Sequence, residues 1–259
     1  MAQKKFNDSI IQVFNTTFIL IMALLIQAIT GCSARIPTQN NREVKSYFIV
    51  DQLNKGRHID LDSCIVWGDV DFTALRNRNR IAGHLTQVFV NQSITFNGCI
   101  FMGKVKAYDA IKGISASFAH NLTFTGCDFR DTVDFSESII NGHTFFTGST
   151  FHHLAMWQGA HFRHKKIYFN ETLFKDEACF QNAVFAGDVN FLHTEFSASA
   201  LFQKVVAGGT MVFGDVQFNG YADFSYSRAI DTIFQYARFN DRLDFTHAEL
   251  NNKNNNPLN

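Results

Sequence analysis

The sequence predicts an all-β protein in which a parallel β-solenoid makes up most of the chain. Over residues 118–250 an apolar side chain, usually Phe, recurs at steps that mostly alternate between five and six residues, as in FQNAVFAGDVNFLHTEFSASALF at 180–202. The residue two places before each of these positions is small or apolar and never charged. Phe is also heavily used, at 29 of 259 residues, against only 2 Pro.

Strand geometry explains this spacing. Side chains two residues apart on a β-strand point to the same face, so each unit buries one small and one large side chain. The two or three residues that follow must turn the chain before the next strand. On an α-helix the same two positions would lie about 200° apart, which excludes a helix. Coils of such strands stack by parallel pairing about 4.8 Å apart, and each coil needs its neighbours to bury its aromatic residues.

Twenty-five units fit the pattern from 118 to 250, and twenty of them have Phe at the central position. The exceptions are Ile140, Trp157, Ala207, Ala229 and Leu250. We expect the structural core to contain Phe124, Phe129, Phe135, Phe146, Phe151, Phe162, Phe180, Phe185, Phe191, Phe196, Phe202, Phe213, Phe218 and Phe224.

Units such as Ala-Val-Phe-Ala-Gly at 183–187 and Ala-Asp-Phe-Ser-Tyr at 222–226 resemble the pentapeptide-repeat family, whose consensus is A-(D/N)-(L/F)-x-x. The resemblance covers about 57–250 and is most specific over 116–250. It implies a right-handed, four-sided parallel β-helix with one repeat on each face. The alternating sixth residue departs from the family pattern. It predicts a coil of 22 residues instead of 20, with every second corner wider by one residue.

Residues 1–31 resemble a lipoprotein signal peptide. Two lysines precede the apolar stretch at 18–29, which is too short to span a bilayer as a helix. Ile29, Thr30, Gly31 and Cys32 then match a bacterial lipobox, which implies lipidation of Cys32 and attachment to a membrane through that lipid. We therefore expect the protein in the bacterial cell envelope, at the outer membrane or periplasmic face, with 32–41 as a polar tether.

The segment at 42–56 is predicted to be an N-terminal capping helix, because its apolar residues are spaced for one face and Gly56 can stop a helix. Such a helix would cover the open strand edge at that end. The tail at 251–259 is polar and predicted to be disordered. The C-terminal end of the solenoid is left uncovered, so we expect that a dimer could form there.

The repeat at 57–250 is predicted to carry two insertions, at 73–92 and 108–115. Cys64, Cys99 and Cys127 fall on the buried small-residue position, so they read as core thiols, and a disulfide between two of them is left open. Two irregular steps also stand out. The seven-residue step from 162 to 169 predicts a bulge, and the five-residue step from 229 to 234 predicts a tightened corner.

The residues that could carry chemistry form no recognisable site. Five histidines lie within 143–164, but a spacing of one coil brings none of them together, so we expect surface histidines and no metal site. Two carboxylate pairs, Asp176 with Glu177 and Asp241 with Asp244, could serve acid–base catalysis on a glycan but are typical of turns. We expect no cofactor and no enzymatic activity.

The net charge of the chain bears on which partners it could bind. The chain has net charge +0, which gives no support for binding nucleic acid. The best interpretation is a non-enzymatic, lipid-anchored scaffold that binds an envelope protein or glycan, with Arg76, Arg78 and Arg80 in the first insertion as a place to look for specificity. One alternative is a carbohydrate-active enzyme on a β-helix. The other is a DNA mimic acting on gyrase, as the resemblance implies for some family members. The 15 acidic and 9 basic residues of 118–250 make a weak excess for such mimicry.

Overall fold

The computed structural model describes residues 42–82 and 85–251, and these form a stack of four-sided coils. The predicted signal peptide at 1–31, the tether at 32–41 and the tail from 252 onward lie outside the described residues. Each regular coil has four short strands, and the strands of successive coils pair in parallel. The parallel β-solenoid predicted from the sequence is confirmed. Within the described residues, no helix has both the length and the apolar character needed to cross a membrane.

The first and second faces contain the N-terminal strands of each coil. The first face consists of β2 (Ile59–Asp62), β7 (Ile94–Asn97), β12 (Leu122–Thr125), β16 (Thr144–Phe145), β20 (Lys166–Tyr168) and β24 (Asp188–Asn190). The second face consists of β1 (Arg42–Lys45), β3 (Cys64–Trp67), β8 (Ile100–Phe101), β13 (Asp128–Phe129), β17 (Thr150–Phe151), β21 (Leu173–Phe174), β25 (Glu195–Phe196), β28 (Gln217–Phe218) and β31 (Arg238–Phe239).

The third and fourth faces complete each coil. The third face consists of β4 (Val70–Asp71), β9 (Val105–Lys106), β14 (Val133–Asp134), β18 (Ala155–Met156), β22 (Ala178–Cys179), β26 (Ala200–Leu201), β29 (Ala222–Asp223) and β32 (Leu243–Asp244). The fourth face consists of β5 (Arg78–Ala82), β6 (Leu85–Val90), β10 (Tyr108–Asp109), β11 (Ile114–Phe118), β15 (Ile139–Ile140), β19 (His161–Phe162), β23 (Val184–Phe185), β27 (Val206–Val212), β30 (Arg228–Ile233) and β33 (Glu249–Leu250).

The alternating five- and six-residue steps correspond to two kinds of corner. Every five-residue step except 229–234 has a left-handed residue two places after the central position, and most close as β-turns; at one of them the N–H of Thr194 donates to the carbonyl of Phe191 at 3.1 Å. The third residue of that turn, His193, has φ +57°, and Gly148 takes the same place with φ +65°. A four-residue turn closed by such a bond, with its third residue left-handed, has the geometry of a type II turn. The six-residue steps form the wider corners, so Glu195 pairs with Gln217 one 22-residue coil later.

The core is a set of aromatic columns that run along the solenoid. On the first face Phe191 stacks on Phe169 and on Phe213, with ring centroids 5.1 Å apart in both pairs. Rings from neighbouring faces meet these columns edge to face, as Phe180 and Phe202 do against Phe191. All fourteen phenylalanines expected in the core are buried. Offset and edge-to-face pairs are the favourable arrangements for aromatic rings, so the columns add to the stabilisation by apolar burial.

The predictions for the two irregular steps, a bulge between 162 and 169 and a tightened corner between 229 and 234, are both wrong. Between β19 and β20 the pairing distance rises from 22 to 23 residues, since His161 pairs with Ile139 and Ile167 pairs with Thr144. The extra residue lies in the corner, where the chain is free to widen, and the predicted bulge is wrong. The register shift lies instead between β27 and β30, beyond Ala207, and both strands run on through the position where a tightened corner was predicted.

The N-terminal cap is part strand and part helix, so the predicted helix over 42–56 is corrected. Strand β1 pairs in register with β3, and the α-helix α1 spans only Ser46–Asn54. Val44, Ile49 and Leu53 are the buried residues of this cap. Pairing with β3 satisfies the backbone of the first coil, which explains why four residues form a strand there.

The predicted insertion at 73–92 is also shorter than expected. A 3₁₀ turn at Phe72–Ala74 leads into β5, which pairs antiparallel with β6 as a hairpin. Strand β6 itself pairs in parallel with β11 and buries Val88 and Val90, so it belongs to the solenoid. The second insertion, at 108–115, is a small hairpin in which β10 pairs antiparallel with the start of β11.

Candidate interaction surface

The two insertions lie side by side on the fourth face. Strand β11 pairs with β6 along its length and with β10 at its start, so one sheet joins both hairpins. We name the outward side of these strands the hairpin surface, and define it by Ile81, Leu85, Tyr108 and Ile111. This continuity brings together two segments that fifteen residues, 93–107, separate in the sequence.

The hairpin surface exposes large apolar side chains. Ile111, at the tip of the second hairpin, is 99% exposed, and Ile81 and Leu85 are each 52% exposed. A groove of about 280 Å³ runs between the hairpins and is bordered by Ile81, Leu85, Tyr108, Ile139 and His161. Grouped apolar side chains in contact with water are typical of surfaces that bind another molecule.

The second hairpin is held by a compact ion-pair cluster. The carboxylate of Asp109 is almost buried and accepts from Lys106 Nζ at 2.8 Å, with Lys112 Nζ at 3.3 Å. Its other oxygen accepts from the backbone N–H of Lys112 at 3.1 Å. The hydrogen bond from Lys106, together with those from Lys112, holds the pKa of Asp109 well below its ordinary value. These contacts fix the turn that carries Ile111.

The arginines singled out from the sequence are exposed but lie away from the groove. Arg78 and Arg80 pair with Val88 and Thr86, and neither arginine lines the groove. Arg78 Nε donates to the carbonyl of Leu75 at 2.9 Å. The groove is lined by apolar and aromatic side chains together with polar ones: Ile81, Leu85, Tyr108, Ile139, Gln87, Ser115, Glu137 and His161.

The histidines were expected to remain apart, and one pair contradicts this. The rings of His143 and His164 lie with centroids 3.9 Å apart, because the extra corner residue before β20 displaces the coil-to-coil spacing. Burial lowers the pKa of His143, and the nearby His164 and Lys166 lower it further. His152 makes a separate contact, with Nε2 2.9 Å from a carboxylate oxygen of Asp128. Within 42–82 and 85–251, no group of three or more metal-ligating side chains is assembled.

Both candidate carboxylate pairs have local partners. Asp176 accepts from the backbone N–H of Glu177 at 2.8 Å, and Asp241 accepts from that of Arg242 at 2.7 Å. Asp244 accepts from Thr246, which lowers the pKa of Asp244. Aspartates commonly bond to nearby backbone in this way at turns. Asp176 and Asp241 lie at bends between strands, and Asp244 ends β32.

Cys64, Cys99 and Cys127 lie on the buried small-residue position of three successive coils, all within the core. The Sγ atoms of Cys64 and Cys99 are 3.2 Å apart, and the two thiols are free. Cys127 Sγ instead donates to the carbonyl of Phe96 at 3.4 Å. Cys64 and Cys99 are thus in contact with each other, and Cys127 lies in the next coil with its thiol directed elsewhere.

Sequence reasoning located the insertions but missed the residues that make the surface apolar. Ile81, Leu85 and Ile111 break the repeat pattern, and an apolar residue that serves no core position is a usable signal of exposure. What the sequence could not give was the pairing of β6 with β11, which brings the two hairpins together.

Comparisons with known proteins add little. No protein-family model matches the sequence, and no curated protein matches it. Among solved structures, one of QnrB1, described as a plasmid-mediated fluoroquinolone resistance protein, is 16% identical. The alignment covers 75% of this chain and 92% of that chain, with a TM-score of 0.18. A likeness this low carries no argument about function, and the assignment of the fold rests on the strand pairing.

Proposed function

We propose that this protein is a non-enzymatic interaction scaffold that binds a partner protein through the hairpin surface. The observation that carries the proposal is the exposure of Ile81 and Leu85 beside a groove, with Ile111 exposed on the turn of the neighbouring hairpin. The solenoid behind them is rigid, because paired strands and stacked rings hold every coil. A rigid base presenting apolar side chains loses little conformational entropy on binding, which favours affinity.

The proposal includes attachment to the bacterial envelope through a lipid on Cys32. Its support is the sequence Ile29-Thr30-Gly31-Cys32 after an apolar segment. Growth with a clickable fatty acid should label the wild-type chain and leave Cys32→Ser unlabelled. Labelling of both chains, or of neither, would remove the anchor from the proposal while leaving the binding surface intact.

The binding role is tested by site-specific crosslinking in intact cells. A photoreactive residue at position 111 should capture a discrete partner, and Ile81→Asp should reduce that capture at least about tenfold if burial of the side chain stabilises the complex. Ile230→Asp is the matched control, since Ile230 is 59% exposed and lies on β30, away from both insertions. Equal capture by the wild type and Ile81→Asp would refute the hairpin surface as the binding site. Capture of a glycan alone would refute the protein partner.

A further inference from the structure

The inference concerns Cys64 and Cys99, which face each other across the first two coils. Ile65 pairs with Ile100, so the two cysteines that precede them are register neighbours. Neighbouring parallel strands lie about 4.8 Å apart, which is within the Cα separation that a disulfide spans. Both side chains are buried, and their Sγ atoms are 3.2 Å apart.

The arrangement selects one pairing out of three. Cys99 is also a register neighbour of Cys127, because Ile100 pairs with Asp128. However, the thiol of Cys127 is directed to the carbonyl of Phe96, whereas the thiol of Cys64 donates to the sulfur of Cys99. Cys64 and Cys127 are two coils apart. The pair that is already in contact is Cys64 with Cys99.

We propose that Cys64 and Cys99 form a disulfide when the chain folds in an oxidising compartment. The thiolate of Cys99 attacks a sulfur of an external disulfide, either oxidised glutathione or the active-site disulfide of an oxidised thiol oxidoreductase, and displaces one thiolate. The thiolate of Cys64 then attacks Cys99 Sγ and displaces the second thiolate. Two thiols lose two protons and two electrons, and the external disulfide is reduced to two thiols. Since both residues are buried in the folded chain, the exchange takes place while the first coils assemble.

The link would stabilise the base of the hairpin surface. It closes a loop from 64 to 99 that contains the whole first hairpin, β5 with β6. A crosslink of this kind limits the unfolded chain more than the folded one. The oxidised protein should therefore unfold about 5–10 °C higher than the reduced protein.

The test is refolding of the full chain in a glutathione redox buffer, followed by acid quenching, thiol blocking and peptide mapping. Trypsin separates the three cysteines into peptides 58–76, 81–104 and 113–130. We expect the first two to be joined, with a mass lower by two hydrogen atoms than their sum, and Cys127→Ala to give the same product. A link between 81–104 and 113–130, or one blocked thiol in each of the three peptides, would overturn the proposal.

Two further measurements keep the result independent of variant folding and of the proposed anchor. Cys64→Ala should abolish the reductant-sensitive shift in melting temperature, and Cys127→Ala should keep it. The redox-buffer experiment needs no export, so its failure says nothing about the lipid on Cys32. A link that forms in the buffer but is missing from protein isolated from cells would refute exposure to an oxidising compartment, which rests on the proposed function.

Discussion

Replacing Phe191 by Ala should be among the most destabilising single changes in the solenoid. Phe191 is fully buried, and it stacks between Phe169 and Phe213 while Phe180 and Phe202 contact it edge to face. Truncating a buried Phe to Ala typically costs about 3–5 kcal/mol, and neighbours that are themselves fixed in columns collapse poorly into the cavity. We therefore expect a loss near 4–5 kcal/mol, or roughly 8–20 °C in melting temperature.

The loss should be measured by urea and thermal unfolding, followed by far-ultraviolet circular dichroism. The matched control is Phe239→Ala in the last coil, where the half-buried ring stacks on one side, against Phe218 at 4.8 Å. With fewer contacts and water already near, that change should cost about 1–2 kcal/mol. Each coil of a solenoid is stabilised by contacts with its immediate neighbours alone. Phe191→Ala weakens the contacts in the middle of the stack, so the unfolding transition should also split into two steps.

Two results would refute this reasoning. If the two variants lost equal stability, position within the column would not matter. If Phe191→Ala cost less than about 1.5 kcal/mol, the coils would be relaxing around the cavity and the rings could not be the rigid columns that the centroid distances describe.

Three further predictions concern the corners and the second hairpin. Asp109→Asn should speed amide exchange at 110–113 roughly tenfold at neutral pH, because it removes a charged hydrogen bond from Lys106. The folded pKa of Asp109 is lowered, so the wild type should lose the same protection as the pH falls below about 4. Equal exchange rates in the two chains at neutral pH would contradict this. Gly142→Ala should lower the free energy of unfolding in urea by about 1–3 kcal/mol, because a Cβ there would lie 2.3 Å from the backbone of the preceding coil. Gly214→Ala is the control, because the closest atom to its Cβ would be a leucine methyl, at 2.8 Å, which can move. Equal losses in the two variants would argue against the close backbone approach at Gly142. The folded pKa of His143 is lowered, so the wild type should lose more melting temperature between pH 7.5 and about pH 5.5 than His143→Gln, and parallel losses would show that this histidine does not titrate against folding.

The regular part of the fold was predictable because a single physical requirement repeats. Each coil must bury one small and one large side chain per strand, so the aromatic spacing records the strand positions directly. The corners were readable as well. Glycine at 126, 148 and 159 falls two residues after the central aromatic, at the left-handed place of a turn where it is least strained. His193 occupies the same place without such a signal.

The irregular parts were not predictable, because their structure depends on register between distant segments. Val88 and Val90 fit the spacing of the repeat, but the hairpin before them breaks the spacing that would connect them to the preceding unit. Their place in the solenoid follows from the pairing of β6 with β11. The contact between His143 and His164 was missed for a related reason. A spacing of 22 residues applies only where no residue is inserted, and the extra residue before β20 changes the neighbours of the corner.

The places where the repeat fails are also where this molecule can acquire specificity. On a regular coil the outward side chains form flat ladders, because residues in the same position stack on one another along each face. The side chains of a ladder still differ from coil to coil, as Glu195, Gln217 and Arg238 do on the second face. The hairpins break this pattern by extending β6 and β11 beyond the coil and adding β5 and β10 at their sides. The groove bordered by Ile81 and Leu85, and the exposed Ile111 on the second hairpin, depend on these insertions and not on the repeat alone. We therefore expect a partner that binds exposed apolar side chains to contact the hairpin surface, the largest departure from the repeat among the described residues.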